Sequence, residues 1–594
     1  MKRIAAGTVW FFTIIVYYCT LAPSVGYIDS GELATVANTL GIAHPTGYPL
    51  YTLVARVISV IPISTEVIVR LNFLSALLTA SAVLIFFFVV IELLEEEKKS
   101  TPGEIIISAA ISSMILAFSK TFWQQGVSAE VYSLHLVLIC LVLLFFIKAI
   151  KMQEHRWWLL FAFIVGLSFT NHMTTILLAP ALLYWFFAEH GINKDALKKI
   201  SLLSLPFFSG LSVYLFLPVR ASQHPLLNWG NPQTVESFWW HVTGKQFRVW
   251  MFSSGDVAKK QLDYFFGNLP NEFHAVVLIV ALVGAIALLF TDRRKFIVMV
   301  LLFVSCVAYS VNYDIHDIDS YFLLAFIVIG VFSAYGGALI MRRFEQRNVK
   351  ITIGTFWAAL VIIQANGNWD SADQSSNYMV EDYTKSILNN LPPNAIVISS
   401  QWDYFISAAY YYQHVDKIRT DVVILDKELF RRTWYFPQLE QLYPDVIQRS
   451  FSEISEFKKE LFKFEHDLPY DYSVIEGRYA AFLKSIVEKN ASLPVYTTSE
   501  IESQYTAGFL RIPEGFVFRL TQDTVYQPMD QPRFIFRMYD GTDIYTKSLK
   551  SLMVRDLLYR ASYESYYGKD TLSAFYSKKA SEFATNSHSQ VSKF

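Results

Sequence analysis

A series of apolar segments constrains the fold of this 594-residue chain more than any other feature of its sequence. A helix needs roughly 20 apolar residues to cross the hydrocarbon core of a membrane. Candidates lie near residues 4–22, 71–91, 105–119, 131–147, 157–170, 173–188, 200–218, 274–290, 296–311, 321–341 and 351–365. Hydrophobic residues make up 53% of the chain and charged residues only 17%, a balance more apolar than that of soluble proteins. We therefore predict a polytopic α-helical membrane protein with about 11 transmembrane helices.

The distribution of basic residues predicts how these helices are oriented. The short segments on the N-terminal side of the membrane hold 17 lysines and arginines, whereas the opposite loops hold 8. Because lysine and arginine accumulate in cytoplasmic loops, the N-terminus is predicted to be cytoplasmic. An odd number of crossings then places the C-terminus on the extracytoplasmic side. The first apolar run is interpreted as an uncleaved helix rather than a signal peptide, since many spans follow it.

Charge and cysteine content exclude several classes of protein. The net charge is −1, without the basic excess typical of proteins that bind nucleic acid. Cys19, Cys140 and Cys306 all lie inside apolar segments, which argues against a disulfide framework and against a thiolate metal site. The interiors of the predicted spans carry almost no ionisable side chain, whereas buried charges are typical of ion pathways.

A change in composition near residue 366 predicts three domains. Residues 1–366 form a transmembrane domain. Residues 367–544 are predicted to form an extracytoplasmic α/β domain, because amphipathic helices separate candidate strands at 394–400, 421–426, 494–498 and 516–520. Residues 545–594 form a C-terminal helical segment, in which about 545–587 are expected to make a helical hairpin.

The loop after the first span, residues 27–51, concentrates reactive side chains. Asp29 and Glu32 are three positions apart, and apolar residues at helical spacing continue to Gly41, so a short amphipathic helix is predicted to begin beside Asp29. In one interpretation Asp29 caps the helix and Glu32 completes a capping box. In the other, the carboxylates take part in chemistry at the positive end of the helix. A helix N-terminus favours the ionised form of Asp29, as a general base requires.

The predicted topology places this loop on the same face as the other polar motifs. An enzyme on that face has no access to cytoplasmic nucleotides, so a sugar donor linked to a polyprenyl phosphate in the bilayer fits the geometry. Transfer from such a donor needs a carboxylate that takes the proton of the acceptor hydroxyl, and groups that stabilise the departing phosphate. Asp29 is the first candidate for the base and Glu32 is the second.

Further positions on this face are candidate binding residues, each with a purely structural alternative. His44 could contact phosphate or acceptor, although a loop histidine is often an ordinary surface group. Glu130 lies where a helix start commonly carries a carboxylate. Asn171 and His172 lie in a tight turn between two spans, where polar residues are needed in any case. Arg220 follows the seventh span, where it could grip phosphate or extend to lipid headgroups.

Residues 312–320, NYDIHDIDS, form the densest acidic cluster outside the spans. Asp314, Asp317 and Asp319 with His316 offer ligands for a divalent cation. Their spacing matches no established metal motif, however, and also describes a solvated turn. We therefore predict no metal site here.

Several motifs together resemble one enzyme family. They are IDSGEL and AHPTGYPLY in the first loop, AEVYSLH at Glu130, GLSFTNHMT at Asn171 and His172, and LPVRA with NWGNP near Arg220. In this order they resemble the GT-C superfamily of glycosyltransferases, in particular the endoplasmic-reticulum protein O-mannosyltransferases of plexin-type receptors and their bacterial relatives. The resemblance covers about residues 1–366 and is most specific in the first loop.

The resemblance implies a GT-C-like fold and an inverting transfer of a sugar, best known as mannose, from a polyprenyl- or dolichyl-phosphate carrier to a Ser or Thr hydroxyl of an acceptor protein. It makes Asp29 the preferred base and Glu32 a supporting carboxylate. The donor- or acceptor-binding residues that it implies are His44, Tyr48, Glu130, Asn171, His172 and Arg220. It implies no cofactor and no metal. The expected location is a bacterial cytoplasmic membrane, with the endoplasmic reticulum as the alternative.

Other functions stay open at this point. A transferase of the same superfamily could use a lipid or glycan acceptor. A transporter or flippase for a lipid-linked sugar would also have many spans, although the uncharged span interiors argue against it. An inactive scaffold is a further alternative, in which Asp29 and Glu32 would be buried away from any cavity.

Overall fold

The computed structural model describes residues 1–96, 100–529, 535–585 and 592–593. Each of the eleven predicted apolar segments is helical within these residues. Helices are expected there because a helix satisfies its backbone hydrogen bonds internally, as the bilayer requires. The basic segment at 95–100 and the end of the predicted C-terminal segment lie partly outside the described residues.

Helices account for most of the N-terminal part. They are α1 (Lys2–Cys19), α2 (Ser30–Thr39), α3 (Pro49–Val60), α4 (Val67–Glu96), α5 (Pro102–Ala117), α6 (Lys120–Gln124), α7 (Val131–Met152), α8 (His155–Phe169), α9 (Ala179–His190), α10 (Lys194–Leu211), α11 (Phe216–Ala221), α12 (Val235–Val242), α13 (Gly255–Glu272), α14 (Ala275–Thr291), α15 (Arg293–Ser310), α16 (Leu323–Arg342) and α17 (Arg347–Ala372). Short 3₁₀ helices lie at Met173–Leu178, Ser212–Leu215, Lys245–Trp250 and Ile318–Phe322.

Five stretches of the described residues are both long and apolar enough to cross a membrane. They are Val67–Glu96, Val131–Met152, Lys194–Ala221, Ile318–Arg342 and Arg347–Ala372. A sixth is added if α13 and α14, which meet at 108°, count as one broken span. The chain is therefore an integral membrane protein, as the sequence predicts, while the number of eleven crossings stays a prediction.

Glycines bring two of the apolar helices into backbone contact. A Cβ added to Gly284 of α14 would lie 1.8 Å from the Phe332 carbonyl oxygen of α16, and one added to Gly336 would lie 2.0 Å from the Val280 carbonyl oxygen. Small residues allow this close approach between helices in a membrane. A larger residue at Gly284 or Gly336 would force α14 and α16 apart.

The C-terminal part combines helices with a mixed sheet. The helices are α18 (Met379–Asn390), α19 (Ser407–His414), α20 (Tyr435–Leu442), α21 (Pro444–Arg449), α22 (Phe451–Glu465), α23 (Tyr472–Lys489), α24 (Ile544–Tyr566) and α25 (Asp570–Thr585). The strands are β1 (Ile396–Ser399), β2 (Val423–Asp426), β3 (Val495–Thr497), β4 (Leu510–Glu514), β5 (Val517–Thr521), β6 (Ile535–Phe536) and β7 (Ser592–Lys593). Each predicted strand is present, and α24 packs against α25 as a helical hairpin.

Five of the strands form one sheet in the order β2-β1-β3-β5-β4. Strand β1 is parallel to β2 and β3, with Ile396 opposite Val423 on one side and Val495 on the other, whereas β5 pairs antiparallel with β3 and β4. Successive side chains of a strand point to opposite faces. Ile396 and Ile398 accordingly belong to a core with α22 and α23, while Val397 belongs to a different core.

That second core joins the sheet to the first loop. Val397 shares it with Leu33 of α2, Tyr51 of α3 and Leu549 of α24. Burial of apolar surface of this kind is the main favourable contribution to association between parts of a protein. The α/β part is therefore packed directly onto the loop that contains Asp29. The boundary predicted at residue 366 falls inside α17, which continues to Ala372.

Candidate active site

A cavity of about 960 Å³ lies where the first loop, the turn before α7, the 312–320 connector and the α/β part meet. Its ionisable lining is mostly acidic. The carboxylates are Asp29, Glu130, Asp317, Asp319, Asp403, Asp426, Glu428 and Asp543, and the basic side chains are Lys120, Lys260, His44 and His316. Cavities of this size with a few convergent polar groups are typical ligand sites.

Asp29 lies on the cavity wall immediately before α2, and its side chain does not cap that helix. Its Oδ1 accepts a hydrogen bond of 2.7 Å from Nε1 of Trp402, and its Oδ2 lies 3.7 Å from Nε2 of His44. The carboxylate is 24% exposed. The capping-box interpretation is therefore wrong for this helix, because the carboxylate of Asp29 is bound to other groups.

Glu32 lies behind His44 rather than on the cavity wall. Its Oε2 is 2.6 Å from Nδ1 of His44, and its Oε1 accepts a hydrogen bond of 2.8 Å from the His44 backbone N–H. Only 1% of the Glu32 side chain is exposed. On the other side of the ring, Nε2 of His44 lies 3.1 Å from the Tyr48 hydroxyl. Glu32 therefore fixes the imidazole, while His44, Tyr48 and Asp29 face the cavity.

The two carboxylates control the charge of His44. Burial disfavours the imidazolium, but the negative charges of Asp29 and then Glu32 outweigh burial and raise the pKa of His44 to about 10. The pKa of Asp29 is also raised, first because of burial and then because of Glu32, against the opposing effects of His44 and Trp402. This direction is opposite to the one expected from the helix N-terminus alone, since burial is the largest effect.

Other carboxylates on the wall repel one another across the cavity. Burial and the charge of Asp29 raise the pKa of Glu130 well above its usual value, and the same two causes raise the pKa of Asp317 to about 6 and that of Asp403 to about 7. Glu130 precedes α7 without capping it. Groups with such shifted pKa values are typical of functional sites.

Asn171 and His172 lie beneath the cavity wall. Nδ2 of Asn171 donates to the Val131 carbonyl at 3.1 Å, and the ring of His172 stacks on Tyr48 with centroids 6.0 Å apart. Nδ1 of His172 is engaged with Thr174, and burial lowers the pKa of His172 to about 3, so its ring is neutral at pH 7. These two residues support lining residues and do not line the cavity themselves.

Arg220 lies outside the cavity wall. Its Nε and Nη2 donate to the carbonyls of Leu40 and Thr39 at the C-terminal end of α2, and its Nη1 donates to Gln223. The last carbonyls of a helix lack intrahelical partners, and a guanidinium satisfies them well. Arg220 therefore holds the end of α2 in this structure, and its predicted contact with phosphate stays a prediction.

In the part of the chain that the structure describes, one group of side chains has ligand atoms close enough together to bind a metal ion. Single ligand atoms of Asp29, Glu32 and His44 all lie within 4.8 Å of one another. Within this group, Nδ1 of His44 and Oε2 of Glu32 are already hydrogen-bonded to each other. Among the described residues, the cluster at 312–320 does not meet the same criterion. There, Asp319 accepts a hydrogen bond from the Tyr264 hydroxyl, and Asp314 lies 3.9 Å from Lys260.

Sequence reasoning did not find the residues that the α/β part contributes. Trp402 and Asp403 follow β1, and Asp426 and Glu428 end or follow β2, which is parallel to β1. Ligands of α/β proteins commonly bind outside the carboxyl ends of parallel strands. The polar and aromatic residues that directly follow these two predicted strands could therefore have been identified from the sequence as candidate site residues.

The fold and the cavity define an integral membrane protein with a large pocket, lined by several carboxylates, between its helical and α/β parts. Residues 29–195 match the family model described as the Protein O-mannosyl-transferase TMEM260 N-terminal domain. The resemblance read from the sequence motifs is thereby confirmed, and the matched segment contains every predicted site residue except Arg220.

Two curated proteins are similar to the chain over most of its length. The Protein O-mannosyl-transferase TMEM260 of Mus musculus is 26% identical over 471 residues, which cover 74% of this chain and 65% of the mouse protein. The protein of the same description from Dictyostelium discoideum is 25% identical over 476 residues, which cover 71% of this chain and 57% of that protein. The chain thus spans less than two thirds of the length of these relatives.

Among solved structures, the apo state of ArnT from Cupriavidus metallidurans is similar, with a TM-score of 0.49 and 10% identity. The match covers 73% of this chain and 95% of ArnT.

Proposed function

We propose that the protein is an inverting glycosyltransferase that moves a sugar, mannose in the first instance, from a polyprenyl- or dolichyl-phosphate carrier to a Ser or Thr hydroxyl of a protein. The observation that carries the proposal is the position of Asp29. Its carboxylate faces a cavity of about 960 Å³ and lies in the segment that matches the O-mannosyl-transferase family model. The names of the two curated relatives support the same activity.

In the proposed reaction Asp29 accepts the proton of the acceptor hydroxyl. The hydroxyl oxygen then forms a bond to the anomeric carbon of the sugar, while the bond between that carbon and the phosphate oxygen breaks. The lipid phosphate leaves with the bonding electron pair, and attack from the opposite side inverts the configuration. Positioned proton transfer of this kind contributes typically about 10²–10⁴-fold to a rate.

Positive groups on the wall would stabilise the leaving phosphate. His44 carries its positive charge at neutral pH, because its pKa is raised to about 10, and it lies beside Asp29. Lys120 and Lys260 also line the cavity. Charge that develops on a phosphate is stabilised by such preorganised cations. Glu32 is buried behind His44, so it supports the imidazole and is the less favoured base.

We also propose the number of membrane crossings, the orientation of the chain and its location in the cell. The chain would cross the membrane eleven times, with a cytoplasmic N-terminus and an extracytoplasmic α/β domain. The bacterial cytoplasmic membrane is the proposed location, with the endoplasmic reticulum as the alternative. No metal cofactor is proposed, since His44 and Glu32, in the compact group found among the described residues, are already hydrogen-bonded to each other. Unchanged turnover in excess chelator is the expected result.

The proposal is tested with the purified full chain in lipid nanodiscs, a polyprenyl-phosphate-mannose donor and a Ser/Thr peptide. Mass spectrometry should detect one added hexose on the peptide. Asp29→Asn should lower kcat by about 10²-fold or more while the protein stays folded. Asp467→Asn is the matched control, because its side chain is 86% exposed and does not line the cavity, and it should retain full activity.

Three results would contradict parts of this proposal. Full activity of Asp29→Asn would exclude Asp29 as the base. Transfer to a lipid or glycan but never to a peptide would show that the acceptor is not a protein. Movement of lipid-linked sugar across vesicle membranes without formation of a glycosidic bond would show that the protein is a transporter and not a transferase. The scaffold alternative is not favoured, since Asp29 lines a cavity rather than being buried away from one.

A further inference from the structure

The segment that follows β1 covers the N-terminal end of α2. Besides the hydrogen bond from Trp402 to Asp29, the backbone N–H of Ile28 donates to the Asp403 carbonyl at 3.0 Å. The backbone N–H of Glu32 donates to Oγ of Ser407 at 2.9 Å. These three bonds therefore attach the α/β part to the residue before Asp29, to Asp29 itself and to Glu32, three residues after it.

The fit between the two segments depends on Gly31. A Cβ on this residue would lie 2.3 Å from the Ser407 carbonyl oxygen and 2.7 Å from Cα of Ala408. Atoms of real side chains do not approach backbone atoms this closely, so α2 and α19 touch backbone to backbone only because residue 31 has no side chain. The relative position of Asp29 and the α/β part is consequently fixed.

Trp402 is itself held by its neighbours. Its ring packs edge-on against Trp229 with centroids 5.3 Å apart, and against Tyr410 with centroids 6.2 Å apart. An indole N–H donates a hydrogen bond but neither accepts one nor gives up its proton at ordinary pH. A donor of this type can orient a carboxylate without competing for the proton that the carboxylate must accept.

Resting on the proposed function, we propose that Trp402 is a positioning residue of the transferase, whose indole N–H binds Oδ1 of Asp29 and leaves Oδ2 to take the acceptor proton. The α/β part is then a component of the catalytic centre. Proteins that lack this contact would bind substrate and react slowly, because a misoriented base costs rate rather than binding.

The charge of Asp29 depends on groups from several elements. Those that face it are His44, Glu32, Glu130, Asp317, Asp403, Tyr48, Tyr313 and Tyr545. His44 and the Trp402 hydrogen bond favour the carboxylate, whereas burial and Glu32 disfavour it. Loss of the indole N–H should therefore raise the pKa of Asp29 and move the acid limb of the pH–rate profile upward. A shift of about 1 pH unit is expected for one hydrogen bond to a charged group.

The experiment uses the full chain with Trp402→Phe, which removes the N–H, and Trp402→His, which retains a ring donor. Trp434→Phe is the matched control, because Trp434 packs on the same Trp229 but lies outside the cavity wall. For Trp402→Phe we expect kcat to fall about 10–100-fold, the donor KM to stay within about threefold, and the acid limb to move upward. Trp402→His should restore part of kcat, and Trp434→Phe should behave as wild type.

A second measurement does not depend on activity. The thermal midpoint is measured for Trp402→Phe in the wild-type background and in Asp29→Ala. If the contact is formed, Trp402→Phe lowers the midpoint in the first background and has little effect in the second. Equal effects in both backgrounds would overturn the inference, as would a raised KM with an unmoved acid limb. A third outcome is that Trp402→Phe lowers the midpoint only when Asp29 is present, but the protein transfers no sugar. That result would confirm the contact and refute both the proposed function and the catalytic role of Trp402.

Discussion

Replacement of Glu32 by glutamine tests the buried pair that fixes His44. The pKa of His44 rises from 6.5 to about 10, which corresponds to about 5 kcal/mol of net preference for the charged ring after the opposing effect of burial, with contributions from Asp29, Glu32 and Glu130. One charge-assisted hydrogen bond contributes about 1.5–3 kcal/mol. Glu32→Gln should therefore destabilise the protein by about 2 kcal/mol at pH 7 and lower the pKa of His44 by about 1.5 units.

The stabilisation that charged His44 provides depends on pH, and the direction of this dependence can be predicted. Because the pKa of His44 is raised in the folded state, the stabilisation from its charge is complete below about pH 6.5 and is lost as pH rises through about 10. In Glu32→Gln the loss should begin at the same pH, because the pKa of the unfolded chain is unchanged, but it should be complete at about pH 8.5 instead of about pH 10. The assay is the thermal midpoint of the purified protein in detergent, measured from pH 6 to pH 10.

The control for Glu32→Gln is Glu456→Gln, whose side chain is 44% exposed in a surface ion pair with Lys459. Exposed pairs contribute little, so this variant should follow the wild-type curve. The reasoning would be refuted if Glu32→Gln unfolded at the wild-type midpoint at pH 7 and showed the same alkaline profile as wild type.

Two further predictions concern Arg220 and Asp403. Arg220→Ala should lower the thermal midpoint, by about 1–3 kcal/mol in free energy of unfolding, and leave the donor KM unchanged, because its guanidinium binds the end of α2. Arg478→Ala, at a side chain that is 51% exposed, serves as its control, and a tenfold higher KM with an unchanged midpoint would instead support the phosphate contact. Asp403→Asn should raise the midpoint more at pH 8 than at pH 5, because burial and then Asp29 raise the pKa of Asp403 to about 7 and its ionised form opposes folding. An equal gain at both pH values, or no gain, would show that the Asp403 charge does not oppose folding.

Local patterns in the sequence determined the elements of this protein. Every apolar segment is helical because a lipid environment leaves few other ways to satisfy the backbone, and each predicted strand forms because it is short, apolar and rich in β-branched residues. The helix that begins beside Asp29 and ends at Thr39 was predictable for the same reason, as its apolar residues recur at helical spacing. The family resemblance likewise depends on contiguous motifs.

Contacts between distant residues were decided only by the tertiary structure. Trp402 is 373 positions from Asp29, and no periodicity relates the two. The choice between Asp29 and Glu32 also depended on packing. The first loop folds back so that the His44 backbone and ring cover Glu32, whereas Asp29 stays at the cavity wall. Three positions along the chain thus separate a buried carboxylate from an accessible one, because burial is a property of the surrounding elements and not of the local sequence.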